Sequence, residues 1–198
     1  MTTESFQTPV AFLAFPALAE AKADKKGTLK YGCVLLIPKT TNIDALKNAA
    51  LAARNAAWPD TKTHAGLKLG IKNGDTPNGN GNIPNGYAGH WVVNCGSKYR
   101  PLLVDEKVQA VLDIKGKFYP GCKVIGLVNV FTYSTDGNRG VSFGISGLQW
   151  VGDGPKLATS IDAAAAFSPV PGSAAAGNGD SLDQFASGSP AKAADPFG

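Results

Sequence analysis

A chain of 198 residues that is 43% hydrophobic can bury a core, so it is not disordered throughout and suits one domain with an appendage. The net charge of +4 hides a division: residues 160–198 hold Lys192 against Asp162, Asp180, Asp183 and Asp195, net −3, leaving +7 on the body. A basic body favours an anionic partner, although charge alone serves plain solubility equally well.

In chain order, residues 10–15 read as a short strand stopped near Pro16. A charged turn over 22–27 leads into a stronger strand, 28–37. Its alternation blurs at Val34-Leu35-Leu36-Ile37, which implies burial on both faces, as in a barrel or under a helix. Thr41 and Asp44 resemble a capping box, with Asp in place of Glu, opening an Ala-rich helix over 42–57 that Pro59 ends. Residues 72–86 contain nine Gly or Asn and two Pro, and read as a mobile loop. They contain neither GxGxxG nor GxxxxGK[ST], so a nucleotide P-loop is excluded; a flap over a bound strand and a plain surface insertion both remain open.

Residues 87–100 read as a strand whose side chains alternate. His90, Val92, Asn94, Gly96, Lys98 and Arg100 share one polar and basic face, while Trp91, Val93, Cys95, Ser97 and Tyr99 share a face expected to be core. The first face is either a backbone-tracking groove, with Gly96 leaving room for close approach, or an ordinary solvated surface. A hairpin follows, 123–133 and 139–151, closed by the Gly/Asn/Asp-bearing turn 134–138. Val124, Val128 and Val130 belong inside; Lys123, Phe131 and Tyr133 then face outward near Asn138 and Arg139. Those two rings are either stacking platforms for bases or a second packing layer. Beyond residue 157 the composition shifts, and 158–198 reads as a flexible, weakly acidic Ala/Gly/Ser/Pro-rich tail behind a domain over 1–157.

Catalytic chemistry finds no grouping. His90 and Cys95 are five apart on one strand, hence on opposite faces, and Asp75, Asp105, Asp113, Asp136 and Asp153 are scattered. Cys33, Cys95 and Cys122 lack the paired spacing of a zinc site or a disulfide set, and read as core residues in a reducing compartment. Neither a metal nor a cofactor is expected. The apolar stretch 10–19 contains Pro16 and is too short to span a bilayer, so a cytoplasmic protein without membrane contact is expected.

The order Tyr87-Ala88-Gly89-His90, Asn94, Ser97-Lys98, Pro101, Val104-Asp105, then Gly121-Cys122, the Asn129-x-Phe131-x-Tyr133 strand and Gly137-Asn138-Arg139-Gly140, resembles a tailed-phage family long catalogued as of unknown function. Members of that family are single-stranded-DNA-binding proteins with an OB-type barrel. The resemblance implies a mostly β chain with one helix, folded as an OB-like small barrel with a disordered C-terminal tail. It also implies sequence-tolerant single-stranded DNA binding in phage replication or recombination, in the host bacterial cytoplasm, with duplex bound more weakly. Lys98, Arg100, Lys123 and Arg139 would then meet phosphates, Tyr87, Phe131 and Tyr133 would stack bases, and His90, Asn94 and Asn138 would supply hydrogen bonds. Four to six phosphate contacts imply a log–log salt slope of about −3 to −4. Asp195 and Phe197 look like a diluted form of an acidic tail with a terminal aromatic, which would recruit replication or recombination proteins. Homo-oligomers are compatible with this reading. The rival is a non-enzymatic structural or adaptor protein that uses the β body and tail for protein contacts.

Overall fold

The computed structural model describes residues 5–23, 27–135 and 137–157. In chain order these hold β1 (Ser5–Gln7), β2 (Ala11–Ala23), β3 (Leu29–Pro38), α1 (Asp44–Ala57), β4 (Ile71–Asn73), β5 (His90–Ser97), β6 (Leu102–Val104), α2 (Ile114–Lys117), β7 (Lys123–Thr135) and β8 (Asn138–Gly152).

Five of the strands close on themselves. β2 pairs antiparallel with β3 and β7, β3 with β5, and β7 with β8; a parallel contact of β5 with β8 completes the ring. Closure removes free edges among these strands, the device by which an OB-type barrel protects its backbone groups. The interior takes the inward positions of each strand, among them Leu13, Leu35, Val93, Val128, Phe143 and Leu148, all at most 2% exposed. The Val-rich set of β7 lies inside and Lys123, Leu127 and Phe131 outside, as its alternation predicts. α1 and its N-cap residue add Leu46, Ala50 and Ile43 to the same core.

Several local expectations change. The first strand does not stop at Pro16 but runs to Ala23. A register shift between Ala14 and Ala17 puts Phe15 at φ 46°, and a proline is tolerated at such a bulge because no ladder hydrogen bond is required of it there. The capping box does not form: Ile43 occupies the N-cap without a side-chain bond, and Asn42 Oδ1 instead accepts from the Asp44 N–H at 2.7 Å. The hairpin strands reach Thr135 and restart at Asn138, leaving two residues between them instead of five, with Gly137 at φ 75°.

Residues 72–86, expected to be a mobile loop, begin on β4, which pairs with β5. Gly74 N–H donates to His90 O at 2.9 Å; a Cβ on Gly74 would lie 2.1 Å from Tyr87 O, so glycine is required by close approach. Asp75 accepts from Gly89 N–H at 2.6 Å and from the Lys39 ammonium. Asn78 Oδ1 accepts from the N–H groups of Asn80 and Asn82 at 3.0 and 3.1 Å. The asparagines thus give the backbone partners that an apolar core would not, which is how a sequence so poor in hydrophobes holds a shape.

Cys33 and Cys95 sit opposite each other on β3 and β5 as free buried thiols, and Cys122 is buried and free as well. Burial pushes the Cys33 and Cys122 thiols up to about 12. Among the described residues no helix is long and apolar enough to cross a membrane. The tail over 158–198, including Asp195 and Phe197, lies outside the described residues.

Candidate nucleic-acid interface

The outer face of the barrel carries a groove of about 590 Å³ between the end of β5 and the β7–β8 hairpin. Its floor follows from strand register. Gly96 on β5 pairs with Gly144 on β8, and Gly144 pairs with Asn129 on β7. Two adjacent glycines remove side chains from the floor, and a Cβ on Gly144 would fall 2.1 Å from Asn129 Oδ1, so the amide lies close over that strand.

Aromatic and basic side chains surround this floor. Phe131 projects from the outward face of β7 and is 41% exposed. Tyr99, assigned to the core by alternation, is instead 82% exposed and lines the groove. The reason is local: β5 ends at Ser97, whose Oγ accepts from the Tyr99 N–H at 3.0 Å, so the chain turns before Pro101 and strand parity no longer applies. The Ser97-x-Tyr99-x-Pro101 pattern was the available signal. Lys30 from β3 joins Lys98 and Arg100, and among the described residues no acidic side chain lines the groove. Lys30 is not legible as a groove residue from local sequence, because its closeness to Lys98 depends on β3–β5 pairing between distant segments of the chain.

The other expected residues separate into four places. Asn94 is exposed on the Gly96 face, one alternation away from the groove floor. Tyr87 and His90 lie at the far end of that face, where the Tyr87 ring meets Phe15 edge-on at 6.3 Å and the His90 ring meets Phe12 at 5.7 Å. There Ala14, Leu36 and Val92 form a small second core beneath Tyr87 and Leu157. The double-sided burial expected for β3 is therefore observed: the barrel interior takes one face, and Tyr87 and Leu157 pack on the other. Burial raises the Tyr87 hydroxyl above its ordinary pKa.

Tyr133 shares the face of Phe131, two residues nearer the hairpin tip, and is half-buried. Asn138 and Arg139 stand at the tip, where Lys68 Nζ donates to Asn138 Oδ1 at 3.1 Å and the Lys68 N–H donates to Arg139 O at 3.3 Å. Lys123 is opposite Gly152 at the other end of β7, away from the groove. The structure thus brings Lys98, Arg100 and Phe131 together and leaves Tyr87, His90 and Lys123 elsewhere. Among the described residues, no group of three or more His, Cys, Asp or Glu side chains converges to hold a metal.

A closed five-stranded barrel with this topology is an OB-type barrel, an architecture whose second- and third-strand face and adjoining loops are used for oligonucleotides. In ring order β3 and β5 are those strands, and the β7–β8 tip is one of those loops. The chain belongs to the single-stranded-DNA-binding protein family of Enterobacter phage Enc34, which it matches over residues 7–180. Protein p50 of Acyrthosiphon pisum secondary endosymbiont phage 1 is 30% identical over 151 residues, covering 72% of this chain and 80% of that protein. The single-stranded DNA-binding protein of bacteriophage Enc34, solved in complex with single-stranded DNA, superposes with a TM-score of 0.61 at 19% identity, covering 76% of this chain and 87% of that one. Gp2.5, a single-stranded DNA binding protein encoded by bacteriophage T7, has a TM-score of 0.54 at 13% identity, with 82% and 99% coverage. These structures share the fold of the barrel.

Proposed function

We propose that this protein binds single-stranded DNA with little sequence preference, as a non-enzymatic component of phage replication or recombination in the host bacterial cytoplasm. The observation that carries the reading is the groove: a glycine floor, two exposed rings and three basic side chains, with no acid among its described lining residues. Each base stacked on Tyr99 or Phe131 contributes about 1–3 kcal/mol whatever its identity, because every base has a flat face. Lys30, Lys98 and Arg100 neutralise phosphates, and Asn129 and Asn94 offer hydrogen bonds along the same face. Tyr133, Asn138 and Arg139 extend the path toward the hairpin tip. Duplex binds more weakly, since paired bases cannot reach a ring and only charge attraction remains. Within the tail, Asp195 and Phe197 are assigned to contacts with replication or recombination proteins.

The test is fluorescence anisotropy of a labelled single-stranded oligonucleotide and its duplex, each at two salt concentrations. The label belongs on the DNA because Trp58, Trp91 and Trp150 do not line the groove. Salt-sensitive binding with the single strand preferred supports the reading; absence of binding at low salt, or preference for duplex, overturns it.

A further inference from the structure

Phe15 is costly to keep where it is. Its φ of 46° lies in the left-handed region that non-glycine residues rarely occupy, and its ring is 63% exposed. Neither property stabilises the fold. The bulge between Ala14 and Ala17 turns the ring outward, edge-on to Tyr87, and backbone outliers of this sort concentrate where a side chain is aimed at a ligand. Beside Tyr87 lies a pocket of about 400 Å³, to which Lys72, Asn73, Thr76, Asn78 and Pro84 also contribute. Asn73 and Asn78 commit their side-chain oxygens to backbone turns, leaving their NH₂ groups as donors. Lys72 is exposed on β4 at the position paired with Val92.

One row of paired residues runs from this end of the sheet toward the groove, buried at Ala14, half-buried at Val34 and exposed at Asn94. Ala14 pairs with Val34, Val34 with Asn94, and Asn94 is one alternation from Gly96 on the groove floor. Crossing from β5 through β3 to β2 covers about 10 Å, two strand spacings.

We propose that Phe15, Tyr87 and Lys72 form a second nucleotide-binding station, separate from the groove and joined to it by the Asn94–Val34–Ala14 row. The inference rests on the single-stranded-DNA reading and extends it. Phe15 stacks one base, the pocket beside Tyr87 receives a neighbouring one, and Lys72 meets a phosphate. A strand lying over both stations runs across the sheet, within the ~4–16 nucleotides covered by barrels of this type. A short strand fills the three-cation groove first and does not reach Phe15.

The test uses the full chain, labelled oligothymidylates of about 5 and about 15 nucleotides, and the variants Phe15→Gly, Lys72→Gln and Tyr99→Ala. Phe15→Gly removes the ring while giving φ 46° to the residue that adopts it readily, so its melting temperature should rise, which separates lost binding from lost folding. The expected result is at least about fivefold weaker binding of the long oligonucleotide by Phe15→Gly, with the short one changed by less than about twofold. Lys72→Gln should show the same length dependence and a shallower salt slope on the long oligonucleotide alone, whereas Tyr99→Ala should weaken both lengths. Equal losses at both lengths, or wild-type binding of the long one by Phe15→Gly, would overturn the second station while leaving the groove in place. If the wild-type chain binds neither length, the DNA reading itself fails, and the station with it.

Discussion

Gly96→Val sets stability and binding against each other. A Cβ at Gly96 meets no heavy atom closer than Tyr31 O at 3.8 Å, so the fold accepts it in ordinary contact. Gly96 is on a strand and is not among the positive-φ glycines. A glycine within a strand costs roughly 0.5–1 kcal/mol relative to alanine, and β-branched residues favour the pleated surface, so the variant should be as stable as the wild type or more so by about that amount. The added methyl groups stand on the groove floor, between the elements that carry Tyr99 and Phe131. Lifting one base off its ring forfeits about 1–3 kcal/mol, or roughly 5- to 150-fold in affinity. Thermal melting and oligonucleotide anisotropy on the same preparation measure both quantities. Gly144→Val also fills the floor, but its Cβ would fall 2.1 Å from Asn129 Oδ1, so the Asn129 side chain must swing away and binding should weaken as the groove rearranges. A Gly96→Val protein that melts normally and binds single strands like the wild type would refute the assignment of the groove as the DNA path.

Tyr99→Ala and Phe131→Ala should each weaken single-strand binding about 5- to 150-fold with little effect on melting, since both rings are substantially exposed; anisotropy and calorimetry check this. Replacing Lys98 or Arg100 with Gln should make the slope of log affinity against log salt shallower by about 0.7 each, and Lys123→Gln, away from the groove, should leave the slope unchanged. Asp75 tests the 74–89 clasp. The Lys39 ammonium and then the Gly89 N–H hold its carboxyl below the ordinary range. A lowered folded pKa means that the stabilisation is present above the unfolded value of about 3.9 and is lost as pH falls through the folded value. Acid denaturation midpoints should therefore show a steeper loss on the acid side for the wild type than for Asp75→Asn; equal slopes would show that the clasp contributes nothing.

Legibility in the sequence follows the range of the forces involved. The β7–β8 hairpin could be read because strand alternation and an Asp-Gly-Asn turn are properties of neighbouring residues, and the outward position of Phe131 follows from the same alternation. The helix was found within two residues of its N-terminus, but its cap was misread, since whether Thr41 or Asn42 supplies the oxygen depends on the path into the helix. Alternation assigns Tyr99 to the core, but that parity holds only as far as Ser97, where the strand ends. Pro16 reads locally as a stop, whereas the bulge beside it allows β2 to continue.

Composition and local periodicity establish which residues can serve: a basic body, rings and glycines on β-forming segments, and a turn closing a hairpin. Those are properties of composition and of periods two residues long. Tertiary structure decided which of them meet. Barrel closure brings Lys30 of β3, Phe131 of β7 and, just past β5, Lys98 and Arg100 to one groove, and it carries Tyr87 and His90 to the opposite end of the face and Lys123 away from it. Strand pairing and register are set by contacts between segments tens of residues apart, so the division of one basic, aromatic set into a groove, a hairpin tip and a distant aromatic cluster exists only once the ring of strands has closed.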